Sequence, residues 1–98
     1  MIYTLDDIRR LVVEVAKQYD VVEIKLFGSY FDKVPTSESD VDLVVSYGAN
    51  CKGLKRISFI NDLEKALQKS VDVINIDFAP DFIKEMNLQS KERLIYAK

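Results

Sequence analysis

Leu26–Val45, LFGSYFDKVPTSESDVDLVV, is the stretch that decides the fold. Its first residues end an apolar, β-branched run, Val21 to Phe27 (VVEIKLF), which reads as a strand. Gly28 and Ser29 close that strand. Residues 28–39, GSYFDKVPTSES, contain a glycine, a proline and hydroxyl residues, and read as a loop. Asp40 and Asp42 open a second strand, Val41 to Tyr47 (VDLVVSY), which Gly48 ends. Side chains at i and i+2 of a strand point the same way, with backbones roughly 7 Å apart. Two carboxylates so placed suit a hard cation such as Mg²⁺, or simply a solvated strand start.

Upstream, a helix is predicted from about Leu5 to Gln18. Thr4 with Asp7 forms a capping box, and Leu5, Ile8, Leu11, Val12, Val15, Ala16 and Tyr19 mark one core-facing stripe. Downstream, residues 48–53 break the chain. A second helix follows from about Leu54 to Lys69, with Phe59, Ile60, Leu63, Ala66 and Leu67 on one face. Val71 to Ile76 (VDVINI) is a third strand. Pro80 favours a short helix over 80–87, and residues 90–97 (SKERLIYA) suggest a last helical stretch. The class is α/β (α+β): a three-stranded sheet flanked by helices in a single domain, 1–98.

Composition narrows the chemistry. The chain has 98 residues, 48% apolar and 31% charged, with a net charge of −2. That balance argues against direct binding of nucleic acid and against a polybasic membrane clasp. With no histidine and a single cysteine, Cys51, a Ser-His-Asp triad, a His- or multi-Cys zinc site and an internal disulfide are excluded. No apolar run approaches a membrane span, and MIYTLDDIRR lacks the layout of a signal peptide. The expected location is the cytoplasm. Any catalysis must use carboxylates, lysines, hydroxyls or a metal.

Asp72 stands second in the third strand, as Asp42 stands near the start of the second. The intervening helix, roughly sixteen residues, is long enough for a crossover that makes those strands parallel. Parallel neighbours put their N-terminal ends together, so Asp40, Asp42 and Asp72 can converge. A first strand antiparallel to the second brings Gly28 and Ser29 to the same edge, in a mixed sheet of order 1-2-3. A glycine lets backbone approach a phosphate closely, and a serine after it offers a hydroxyl and backbone N–H groups. Asp77, on the opposite face of the third strand, reads as a solvated end.

Gly-Ser, ten residues, Asp-x-Asp, and then a later strand Asp resembles the nucleotidyltransferase motif of the DNA polymerase beta superfamily. More narrowly, the chain is similar to the minimal nucleotidyltransferases (MNT proteins) that pair with HEPN proteins in toxin–antitoxin operons, and the resemblance spans essentially its whole length. It implies a nucleotidyltransferase fold in which Gly28 and Ser29 hold the nucleotide triphosphate. Asp40, Asp42 and Asp72 would bind the metal, two Mg²⁺ ions or Mn²⁺. Asp72 would also be the base for the acceptor hydroxyl. Such chemistry asks for in-line positioning and charge neutralisation rather than a histidine.

HEPN toxins of this family carry an Arg-to-His ribonuclease motif, so a chain without histidine is expected to be the antitoxin half. The resemblance implies transfer of AMP from ATP to a tyrosine of the partner HEPN toxin. A bulky anion placed there would block RNA binding. A non-catalytic antitoxin that acts by binding, and a small-molecule nucleotidyltransferase, are the alternatives. The tail Leu94, Ile95 and Tyr96 either packs under the first helix or offers a docking patch for the partner. The chain departs from many relatives in lacking an Arg and a Gly shortly after the Gly-Ser. Lys33 is the candidate replacement charge, Asp32 opposes it, and Tyr30 and Phe31 read as core plugs of the turn.

Overall fold

A computed structural model describes residues 3–98, apart from the side chains of Ser29 and Asp32. Helix α1 (Leu5–Ala16) begins at the predicted capping box: the Asp7 N–H donates to Thr4 Oγ1 and the Thr4 N–H to Asp7 Oδ2, both at 3.1 Å. Two orphan donors of the first turn are thereby satisfied. Ile8, Val12, Val15 and Ala16 of its stripe are buried. Strand β1 (Val21–Phe27) follows, then a single helical turn α2 (Ser29–Asp32) inside the segment expected to be loop. Strand β2 (Val41–Tyr47), helix α3 (Leu54–Leu67) and strand β3 (Val71–Asn75) complete the crossover.

Helix α3 turns Phe59, Leu63 and Leu67 into the core. It stops at Gln68, whose φ of 52° is left-handed and whose N–H bonds the Glu64 carbonyl. The Glu64 carboxylate in turn accepts from the Val71 N–H at 3.1 Å. The helix end and the start of β3 are thus tied together, and that sets the register of β3. β2 and β3 run parallel with Val41 opposite Val71 and Asp42 opposite Asp72, as the crossover predicts.

The tail corrects the sequence reading. A 3₁₀ turn (Ile76–Phe78) and helix α4 (Asp81–Gln89), entered from Pro80, lead to a second 3₁₀ turn (Lys91–Arg93) and then strand β4 (Leu94–Ala97). The last stretch is therefore not helical, and the sheet has four strands in the order β3-β2-β1-β4. β1 is antiparallel to both β2 and β4. The free edge of β1 presents unpaired N–H and C=O groups that a fourth strand satisfies. A short apolar run such as LIYA fits either structure until that edge is known. Of the two readings of the tail's apolar residues, packing holds and the docking patch does not: Ile95 is buried in the core that β1 and β2 form with α1 and α3, and Tyr96 packs against it. The large exposed apolar side chains lie elsewhere, at Val34, Leu54, Phe78, Phe82 and Leu88. Ile95→Ala is expected to cost about 2–4 kcal/mol, the range for emptying a buried aliphatic site, measured by urea unfolding. A cost under about 0.5 kcal/mol would contradict the placement of β4.

α1 and α3 cover one face of the sheet, packing on Ile24, Leu26, Val41, Leu43, Val45 and Val71. Strand alternation turns Lys25, Phe27, Asp42, Val44, Asp72 and Ile74 to the other face. Among the described residues no helix is long and apolar enough to cross a membrane.

Candidate functional site

Gly28, at the end of β1, has φ +75°, a conformation that costs other residues strain. A Cβ built on it would lie 1.9 Å from Asp42 Oδ2 and 2.9 Å from Asp42 Cγ. Both backbone angle and space therefore require glycine here. The turn that follows closes with the Phe31 N–H donating to the Gly28 carbonyl at 3.0 Å. Tyr30 is buried in the core and Phe31 packs against it, as plugs of the turn.

Asp42 is flanked in register by Phe27 of β1 and Asp72 of β3, so one row across the sheet carries the site. Asp42 and Asp72 stand directly opposite each other on neighbouring parallel strands. Burial, with the neighbouring Asp72 carboxyl and the negative charges of Asp72 and Asp40, pushes the Asp42 carboxyl up to about 6. Asp40 and Asp72 are exposed and Asp42 is half-buried. Asp40 stands just ahead of β2, beside the Val41 N–H that donates to the Ser70 carbonyl at 3.1 Å. The fold thus puts Asp42 and Asp72 side by side in register and Asp40 within electrostatic reach. Among the described residues no three such side chains close into a ready cage for an ion. The donors are all carboxylate oxygens carrying uncompensated negative charge, which suits a hard divalent cation completed by water or phosphate. The Ser29 side chain lies outside the described residues, as does that of Asp32. Lys33 is exposed, as is Asp77.

Two cations at this edge have no signal in the local sequence. Arg93 is buried, its guanidinium 4.4 Å over the Phe27 ring and 4.5 Å over the Phe31 ring. Its Nη1 donates to the Leu26 carbonyl at 3.3 Å. It therefore grips the Gly28 turn from both sides, and does so only because β4 pairs with β1. Lys69 donates to the carbonyls of Ser37 at 3.0 Å and Ser39 at 3.3 Å, holding the loop that delivers Asp40. Arg93→Met should lower stability by about 1–3 kcal/mol, the sum of a hydrogen bond and partly desolvated cation–π contacts. Chemical denaturation would show this, with Arg93→Lys recovering only part because it lacks the planar fork. An Arg93→Met protein as stable as the wild type would show that the grip is energetically idle.

The sheet is thus mixed, with α1 and α3 on one face and a glycine turn beside an aspartate row on the other. The chain belongs to the polymerase beta nucleotidyltransferase family, whose model matches residues 11–98. It is 33% identical over 75 residues to a candidate protein adenylyltransferase of Methanocaldococcus jannaschii, covering 72% of this chain and 76% of that one. It is 26% identical over 81 residues to a second from the same organism, covering 83% and 87%. The fold matches a candidate minimal nucleotidyltransferase with a TM-score of 0.74 at 24% identity, over 87% of both chains. It also matches a chain of a toxin–antitoxin complex solved with AMP-PNP, with a TM-score of 0.71 at 19% identity, over 92% and 73%. A further match, with a TM-score of 0.64 at 19% identity over 93% and 71%, is to the complex of a tri-AMPylated Shewanella oneidensis HEPN toxin with its MNT antitoxin.

Proposed function

We propose that this nucleotidyltransferase is a metal-dependent antitoxin that moves AMP from ATP onto a tyrosine hydroxyl of a HEPN ribonuclease partner in the cytoplasm. The carrying observation is the pairing of Asp42 opposite Asp72, with Asp42 packed under a glycine turn that has no room for a Cβ. The relatives named as protein adenylyltransferases and the AMPylated toxin in a neighbouring complex support the choice of donor and acceptor.

In this reading Gly28 and Ser29 hold the triphosphate, and Asp40, Asp42 and Asp72 are the residues that would hold a divalent cation, Mg²⁺ or Mn²⁺. When bound, it neutralises charge on the attacking and leaving oxygens. Asp72, exposed at the strand start, accepts the proton of the tyrosine hydroxyl. The tyrosine oxygen bonds to the α-phosphorus, and the bond from that phosphorus to the departing pyrophosphate breaks. A base is needed because a phenol is mostly protonated at neutral pH. The test is fragment mass spectrometry of the partner after incubation with ATP and Mg²⁺. The adduct should map to tyrosine and vanish when that tyrosine is changed to phenylalanine. An adduct on another residue type would refute the acceptor.

A further inference from the structure

We infer that Arg93 is a positioning residue of the transfer reaction: it fixes the Gly28 turn against Asp42, so that the approach to β4 serves the site as well as the sheet. The inference deepens the proposed function and rests on its placing of the triphosphate at Gly28.

The β1–β4 ladder runs from Glu23 opposite Ala97 to Lys25 opposite Leu94 and goes no further. Leu26 and Phe27, which lead into Gly28, meet no strand on that side among the described residues. Arg93, the residue just ahead of β4, takes the place of one. Its Nη1 donates to the Leu26 carbonyl at 3.3 Å, and its guanidinium lies 4.4 Å over the Phe27 ring and 4.5 Å over the Phe31 ring. Phe27 enters the turn. Phe31 closes it, through the bond from its N–H to the Gly28 carbonyl at 3.0 Å. One planar cation therefore joins the two ends of the turn.

A guanidinium is an unfavourable group to place here, since Arg93 is only 7% exposed and a buried charge must be compensated by its surroundings. What it adds is direction: a flat group lying on two rings and hydrogen-bonded at its edge admits few orientations. The turn needs that direction. Phe27 stands opposite Asp42, and a Cβ on Gly28 would lie 1.9 Å from Asp42 Oδ2, so turn and carboxylate meet with no slack. A shift of about 1 Å in a reacting group costs about 10²-fold in rate. The rest of β4 is held without Arg93. Ile95 is buried in the core, the Lys98 N–H donates to the Val22 carbonyl at 2.8 Å, and Lys98 Nζ donates to Asp20 Oδ1 at 2.7 Å. Removing the guanidinium therefore loosens the turn and leaves the strand in place.

The experiment compares wild type, Arg93→Met, Arg93→Lys and Ile95→Ala as whole chains, at a temperature where circular dichroism shows all four folded. Ile95→Ala is the control: it lies on the strand that Arg93 precedes, is buried away from the turn and costs at least as much stability. Two quantities are read, the rate of AMP transfer to the partner at saturating ATP and Mg²⁺, and exchange of the Phe31 amide by NMR. Arg93→Met should lose transfer at least about tenfold and exchange the Phe31 amide about tenfold faster. Ile95→Ala should stay within about twofold of wild type in both. Arg93→Lys keeps the charge without the planar fork, and should fall between wild type and Arg93→Met. Wild-type transfer by folded Arg93→Met would overturn the inference. So would an equal loss in Ile95→Ala, the mark of a general effect of stability, or unchanged Phe31 exchange in Arg93→Met. Wild-type protein that transfers no AMP would overturn the proposed function and the role in transfer with it, while Phe31 exchange would still read whether Arg93 holds the turn.

Discussion

Gly28→Ala should lose nucleotidyl transfer by about 10²-fold or more, the scale set by displacing a reacting group by about 1 Å. Even one methyl suffices, because a Cβ at this position would sit 1.9 Å from Asp42 Oδ2. The carboxylate or the turn must move, and either shift separates the groups that the sheet brings together. The φ of +75° adds backbone strain, of order 1–2 kcal/mol, for any residue with a Cβ. Gly28→Val adds branching to the same clash and should be worse. The assay is AMP transfer under saturating ATP, with circular dichroism to confirm that the variant folds. A folded Gly28→Ala protein with wild-type transfer would show that the close approach has no part in the reaction.

Asp42→Asn should be as damaging to transfer, by about 10³-fold, since the charge it supplies to the site is worth several kcal/mol in the transition state. Its effect on stability should have the opposite sign. Asp42 and Asp72 are like charges directly opposite on neighbouring strands, an arrangement that destabilises by roughly 0.2–1 kcal/mol. The pH dependence follows from the raised Asp42 value of about 6. The folded state holds its proton more tightly than the unfolded chain, whose carboxyl titrates near 3.9. Stability is thus lost as pH rises from about 4 to about 6, and the loss is complete above that. In the presence of a chelator, Asp42→Asn should therefore melt above wild type at pH 7.5 and level with it near pH 3.5. A variant that melts lower at pH 7.5 would mean that the contact stabilises the fold.

Much of this was legible in the order of residues. The capping box at Thr4, the β-branched run of β1 and the Asp-x-Asp spacing each carry a local physical signature, and the structure keeps all of them. The parallel pairing that brings the Asp42 and Asp72 ends together was legible too, because a helix of this length can serve as a crossover, while their register rests on the Glu64–Val71 bond. What stayed hidden depends on contacts remote in sequence. LIYA is a strand only because β1 has a free edge, and Arg93 reaches the Phe27 and Phe31 rings only once that strand is in place. Lys69 holds the loop before Asp40 from the far end of the crossover. Lys33 is found by its place in the loop after Gly28, whereas Arg93 and Lys69 reach this edge from elsewhere in the chain. Gly28 was expected to favour phosphate approach; that its missing Cβ also leaves room for Asp42 required the sheet to be built first.

The most direct test of the central claim is the intact mass of the HEPN partner after co-expression, read beside growth rescue. With wild-type protein, ATP and Mg²⁺, the partner should gain about 330 Da, one AMP, or multiples of it, and growth should recover. With Asp40→Ala/Asp42→Ala the partner should gain nothing and growth should fail. A double variant that rescues growth as well as wild type, with an unmodified partner, would contradict the account and leave an antitoxin that works by binding alone.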